Sequence, residues 1–441
     1  MKQKGFANIA VLIIAVITIA GVGGYYVLNT QTPLSESIPT PNPIDNDDPN
    51  PTPNPIQNPT PTPTQPFQSQ SQTSISQAHN TFGFNSFKIL AKEEGNKNIF
   101  ISPSSIALAL SIVYNGANGE TKNAMQKTLQ FQNMDIAAIN QESLGLINSL
   151  KNPDPKVELA VANSVWARKG VDFKADFLSA VRRYYSAEIS TLDFSKTSAV
   201  KTINDWVSKN TKGKIPTIVS SPLPNDMLMY LVNAVYFKGS WTNEFYKELT
   251  EDRKFTTTDG VSKQHPLMRQ RGKFLYLETE DFQSVSLPYG TNERLSMYVF
   301  LPKNLTNFVQ TLNENKWNDW MEQYTKTDGT ILLPRFKMEY QNDLVPMLTQ
   351  LGMGVAFENN ADLTGITDDV IKISGVIHKT YVDVNEEGTE AAAVTGIGMS
   401  SVTSIDSETK TFYMEVNRPF FFVIRDNQTQ EVLFMGTIQN P

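Results

Sequence analysis

Apolar positions recur at helical spacing early in the folding part of the chain. Ile106, Ala109, Leu110 and Val113 fall at i, i+3, i+4 and i+7, which predicts an amphipathic helix that buries one face. The residues before it, NIFISP (98–103), read as a short strand running into that helix, with Ser102 as N-cap and Pro103 at the first helical position. Further helices are predicted over 120–129, 135–150, 174–185, 199–211, 307–323 and 341–351. Runs rich in β-branched and aromatic residues predict strands over 157–167, 227–237, 273–277, 284–288, 296–301, 329–339, 376–384, 420–425 and 432–439. Helices concentrate early and strands late. That order predicts an α+β fold with a large mixed or antiparallel sheet.

One stretch, 382–419, breaks the pattern. Glu386, Glu387 and Glu390 bracket Gly388 and Thr389, and no charge follows from Ala391 until Asp406. Small uncharged residues lose little side-chain entropy on ordering and leave no ion unpaired when buried. At period two, Thr389, Ala391, Ala393, Thr395, Ile397 and Met399 share one face, and Glu390 carries the only charge on the other. Two readings fit: a Gly/Ser/Ala-rich surface linker, or an exposed loop able to join a β-sheet as a new strand.

Composition shortens the part of the chain that folds. Residues 33–66 hold twelve prolines among Thr, Asn, Gln and Ser, with no Lys or Arg, which predicts a solvated, extended stalk over 30–74. Ahead of it, Lys2 and Lys4 precede an uncharged, largely apolar run over 6–28. That run is long enough to span a bilayer as a helix. The next basic residue is Lys88, so charge asymmetry predicts a single-pass cell-membrane protein with a cytoplasmic N-terminus and an extracellular domain over 75–441. A cleaved signal peptide, and hence secretion, is the competing reading of 1–29. A type IV prepilin leader at Gly5 and Phe6 is a weaker one, lacking the early Glu of pilins.

Candidate chemistry is sparse. There is no cysteine, which removes disulfides, thiol catalysis and a lipoprotein anchor. No G-x-S-x-G elbow, H-E-x-x-H or phosphate-binding loop is present. His79, His265 and His378 are the only histidines, so a three-His metal site would consume them all, and no metal or cofactor is expected. Without Lys2, Lys4 and the stalk's Glu36, Asp45, Asp47 and Asp48, the domain carries a net charge of −5, and no nucleic-acid footprint is expected.

Five blocks in order resemble the serpin family over nearly all of 75–441: NIFISPSSIALAL (98–110), NAVYFKGSWTNEF (233–245), LPRFKMEYQNDLVPMLTQLGMGVAF (333–357), IHKTYVDVNEEGTEAAA (377–393) and NRPFFFVIRDNQTQEVLFMG (417–436). The resemblance implies three β-sheets, eight or nine helices and an exposed reactive loop. It implies a monomer without a catalytic site of its own. Such a protein traps a serine protease as a covalent acyl complex by inserting the cleaved loop into its central sheet, with a cysteine protease as a further target class. Glu386, Gly388, Thr389, Glu390, Ala391, Ala392 and Ala393 match the hinge of inhibitory members. Ser102, Ser105, Asn233 and His378 match the shutter beneath the sheet's opening, and Trp241 and Lys337 match the breach at its upper end. Taken alone, Ser102 also reads as a helix cap, His378 as a hydrogen-bonded core histidine and Trp241 as core packing.

Counting sixteen residues on from Glu386 places the scissile bond at Val402-Thr403. The stretch 403–415 is longer than usual in the family, so counting back from Asn417 moves the bond to Met399, Ser401 or Ile405. A small aliphatic bait, with no Arg or Lys over 388–409, implies an elastase-like or subtilisin-like target. His265 replaces an apolar residue of the family pattern and reads as a surface change. The helix over 135–150 has no base, which argues against activation by a glycosaminoglycan.

Overall fold

The computed structural model describes residues 74–224, 226–389 and 411–441. The segment 1–29, the stalk up to residue 73, and Glu390, Ala391, Ala392, Ala393, Val402 and Thr403 lie outside the described residues. Among those described, no helix is long and apolar enough to cross a membrane.

The described helices are α1 (Ile75–Glu94), α2 (Pro103–Tyr114), α3 (Gly119–Thr128), α4 (Ile136–Leu150), α5 (Ala175–Tyr184), α6 (Thr197–Asn210), α7 (Leu305–Thr311), α8 (Glu314–Gln323) and α9 (Val345–Leu348). The strands are β1 (Ile99–Ile101), β2 (Val157–Arg168), β3 (Glu188–Leu192), β4 (Met229–Ser240), β5 (Tyr246–Thr256), β6 (Ser262–Glu278), β7 (Phe282–Pro288), β8 (Leu295–Pro302), β9 (Thr325–Pro334), β10 (Phe336–Asp343), β11 (Ile373–Asn385), β12 (Gly388–Thr389), β13 (Phe412–Glu415), β14 (Phe420–Asp426) and β15 (Val432–Ile438).

A six-stranded sheet runs β10-β11-β12-β4-β2-β3, with β11 also pairing directly with β4. A nine-stranded sheet runs β1-β15-β14-β8-β7-β6-β9-β13, with β5 beside β6. The long β6 joins its two limbs, pairing with β9 over 267–276 and with β7 only over 275–278. The three sheets implied by the resemblance are thus one separate sheet and two limbs of another.

Strand parity divides the core. On β4, Met229, Leu231, Val235 and Phe237 enter the main core, while Tyr230, Val232, Ala234 and Tyr236 face a second apolar cluster under α6. Asn233 has the parity of the main core. Its amide reaches Ser105 near the start of α2.

Several sequence expectations change. Every residue of α2 is buried, not one face only, because α1, β4 and β15 pack around it. Ser102 occupies the N-cap position but its side chain makes no cap hydrogen bond; it donates to the Leu433 carbonyl instead (2.7 Å). The expected helix over 341–351 shrinks, because Gln341, Asn342 and Asp343 pair with Lys379, His378 and Ile377 as part of β10. The expected helix over 307–323 is two helices. Leu312 is extended, and Asn313 starts α8 by accepting from the Lys316 amide. The sequence reading missed α1, whose buried face includes His79, Asn80 and Ser86 and so lacks a clean apolar period. It also missed β5, exposed along most of its length.

Candidate functional site

The site lies along the seam between β4 and β11. These strands pair in parallel from Met229 opposite Ile373 to Tyr236 opposite Tyr381. Beyond that point they part, and β12 lies between them. Thr389 is opposite Val384 on β11 and Gly239 on β4, and Gly388 is opposite Asn385 and Ser240. The chain leaving β11 has therefore turned back through Glu386 and Glu387 and begun an antiparallel strand in the gap. Gly388 has φ +151°, and a Cβ there would lie 2.1 Å from the Gly239 carbonyl oxygen. Only glycine allows this approach.

Each residue of the turn is held. The Trp241 indole donates to the Asn385 carbonyl (2.9 Å), and the backbone N–H groups of Phe245 and Trp241 donate to the Glu386 (2.9 Å) and Glu387 (3.0 Å) carbonyls. Buried Glu386 accepts from Arg335 Nε (2.8 Å) and Nη2 (2.5 Å) and from the Thr250 hydroxyl (2.5 Å). Burial works to raise the pKa of its carboxyl, but the Arg335 and Thr250 hydrogen bonds hold it below the ordinary carboxylate value. Glu387 pairs with Lys247, and that hydrogen bond raises the lysine pKa. Thr389 is fully buried, sharing a 2.8 Å hydrogen bond with the Tyr289 hydroxyl. The Tyr289 ring stacks on Trp241 at 4.3 Å, and burial pushes its phenol pKa far up. Trp241 is therefore both core packing and clamp.

Below the gap, the polar group predicted from sequence assembles. Across the seam, His378 is opposite Asn233, and Asn233 is opposite Asn163 on β2. The Ser102 amide donates to His378 Nε2 (3.1 Å), so the single proton of the neutral ring sits on Nδ1 and is given to Asn233 Oδ1 (2.5 Å). The Asn233 amide nitrogen donates to the Ser105 hydroxyl and to Asn163 Oδ1 (2.5 Å each). Beside it, the Thr380 hydroxyl donates to the Phe100 carbonyl (2.6 Å). Burial pulls the His378 pKa from its ordinary 6.5 down to about 3. Ser102, Ser105, Asn233 and His378 thus form one chain of hydrogen bonds across the closed seam.

Lys337 stands apart from Trp241, exposed on β10, where it pairs with Asp383 (3.6 Å) and lies over the Tyr381 ring. His265 is half-buried, with Nε2 2.6 Å from the Arg335 carbonyl oxygen, closer to the hinge support than a surface change implies. His79 pairs with buried Glu431 (2.8 Å), so the three histidines sit in three separate settings. Sequence reasoning missed Asn163, Arg335, Tyr289 and Thr250. Arg335 alone had a usable signal, standing two residues before Lys337 in the block 333–357.

Comparison with known proteins agrees with this geometry. The profile of the family described as Serpin (serine protease inhibitor) matches residues 77–441. A serpin-like protein of Methanosarcina mazei is 34% identical over 83% of this chain and 87% of its own length. The leukocyte elastase inhibitor of Xenopus tropicalis is 36% identical over 83% of this chain and 100% of its own. The crystal structure of human thyroxine-binding globulin in complex with its thyroxine ligand superposes with a TM-score of 0.77 at 29% identity, over 83% of this chain and 98% of that one. By sequence, by fold and by the residues gathered at the seam, the chain belongs to the serpin family.

Proposed function

We propose that the protein is a suicide inhibitor of an elastase-like or subtilisin-like serine protease, held outside the cell on its Pro-rich stalk by residues 1–29. The observation that carries this reading is β12, two residues of strand seated where a longer strand would follow. Its register supports the rest. Because Thr389 is opposite Val384, each further residue of the arm would meet one residue lower on β11. Thr395 would reach His378, and Ser400 would reach Ile373 at the foot of the strand. Val402 would then lie just past the sheet, which supports the forward count to Val402-Thr403.

In this mechanism the protease attacks the Val402 carbonyl and is acylated. The arm Ala391, Ala392, Ala393 and onward inserts, with the parity of buried Thr389 turning Ala391 and Ala393 inward and Glu390 outward. As Thr395 arrives, the hydrogen bond from His378 to Asn233 is exchanged for bonds to the new strand. The thirteen steps from Thr389 to Val402, at ~3.3 Å each, would carry the acylated enzyme about 43 Å. The inhibitor supplies a bait carbonyl and a displacement, and no catalysis. Lys337 and Trp241 frame the end at which insertion starts.

The test is incubation of the full-length protein with elastase-like, subtilisin-like, chymotrypsin-like and trypsin-like proteases, read on denaturing gels with mass spectrometry of the released C-terminal peptide. A complex that survives denaturation, with a new N-terminus at Thr403, is expected. Cleavage without a complex across the panel would favour a second reading, a non-inhibitory surface binding protein. The long stretch over 403–415 and the likeness to thyroxine-binding globulin favour that alternative.

A further inference from the structure

Beside the turn that precedes β12 lies a cavity of about 210 Å³. Trp241, Phe245 and Leu287 line it and are almost fully buried. Lys273, Lys326 and Glu293 line it as exposed residues. Among the described residues neither ammonium group makes an ion pair or a hydrogen bond. The Gln270 amide, also lining the cavity, is committed to the Asn243 and Glu244 carbonyls. The cavity therefore offers an aromatic and aliphatic wall with two uncommitted cations against one carboxylate. Such a combination of apolar walls and a few convergent polar groups suits a small ligand.

The wall is also the clamp. Three hydrogen bonds from Trp241 and Phe245 hold the Asn385, Glu386 and Glu387 carbonyls, so the turn cannot leave the sheet without freeing both of these residues. We propose that the cavity binds a small organic anion with a flat apolar body, an aryl carboxylate in class, and that its occupancy holds the hinge seated in the sheet. The ring rests on Leu275 and Pro288, the more exposed part of the apolar lining, against the edges of Trp241 and Phe245, and the carboxylate is met by Lys273 and Lys326. Release of the turn frees Trp241 and Phe245 and so disturbs the lining the ligand rests against, which couples occupancy to a seated turn. The consequence for inhibition, a shorter stretch of loop presented to the protease, rests on the proposed trap, but the binding does not.

The experiment is calorimetry of the full-length protein with indole-3-acetate as probe and the uncharged indole-3-acetamide as comparison, repeated with a Lys273→Gln, Lys326→Gln double variant whose melting temperature is checked first. Indole-3-acetate is expected to bind, and the acetamide or the double variant to bind at least about tenfold more weakly, a loss of ~1.4 kcal/mol. Hydrogen exchange at the Gly388 and Thr389 amides should slow about tenfold when the acetate stands at ten times its Kd. Absence of binding, or equal binding of acid and amide, overturns the site. Unchanged exchange in the bound protein overturns the coupling. Failure of the trap itself would appear only in the protease panel, leaving the calorimetry to decide the site.

Discussion

With the Ser102 amide donating to its Nε2, His378 has one usable tautomer, and a second proton would set a ring N–H against a backbone N–H. Its pKa, about 3 in the fold against an ordinary 6.5, makes this a stability statement. Between those values the unfolded chain binds the extra proton and the folded one does not. The contribution of His378 is therefore complete above pH 6.5 and is lost as pH falls toward 3, by about 1.4 kcal/mol per pH unit. Urea unfolding at pH 7.5, 6.0 and 5.0 should show this slope in the native protein and a flatter one in His378→Asn, and equal slopes would remove the assignment. Ser102, Ser105, Asn233 and His378 were legible because each stands in a motif block. Asn163 was not, since an asparagine in a strand carries no periodic signal and only the β2–β4 register brings it to Asn233.

At the scale of elements, β12 is the decisive piece, although it is only two residues long. Thr389 points inward against Tyr289, with Gly239 and Val384 as its register neighbours, so a charge at this position has no water and no partner. Thr389→Arg should cost several kcal/mol in the seated arrangement and favour an expelled hinge. Under the proposed trap, cleavage would then release the protease, and the stoichiometry of inhibition should rise steeply. An unchanged stoichiometry with stable complexes would mean that the strand does not form from Thr389 onward. The resemblance implied that 386–393 is able to become strand. That two residues are already seated was hidden, because the gap is made by residues such as Phe237 and Val382, far apart in the chain. The same kind of distant pairing turned 341–343 from predicted helix into strand.

For the whole molecule, the parted end of the seam is a deficit that a new strand would repair. A dozen residues paired on both sides make about two dozen cross-strand pairs, less the eight between β4 and β11 that they replace, and at about 0.2–1 kcal/mol per pair would contribute on the order of 3–16 kcal/mol. Calorimetric scans before and after limited nicking by subtilisin should therefore show the melting temperature rising by roughly 10 °C or more. A nicked protein that melts as before would favour the binding-protein reading. The α+β class was legible because long strands carry strong patterns. The division of the large sheet into limbs was not, because it depends on where β6 changes partners.

The parallel pairing of β4 with β11 has a consequence for how the molecule is made. Tyr236 and Tyr381 meet only after a very long stretch of intervening chain has been closed, a contact order that favours slow formation. The hairpin from Val384 to Thr389 needs only a two-residue turn. During synthesis the arm and β11 emerge together, so local zippering competes with the distant pairing from the moment both exist. Under the proposed trap, a chain that zippered first would end with a closed sheet and no bait outside, and inhibitory capacity would be a kinetic product of folding order, settled before any protease is met.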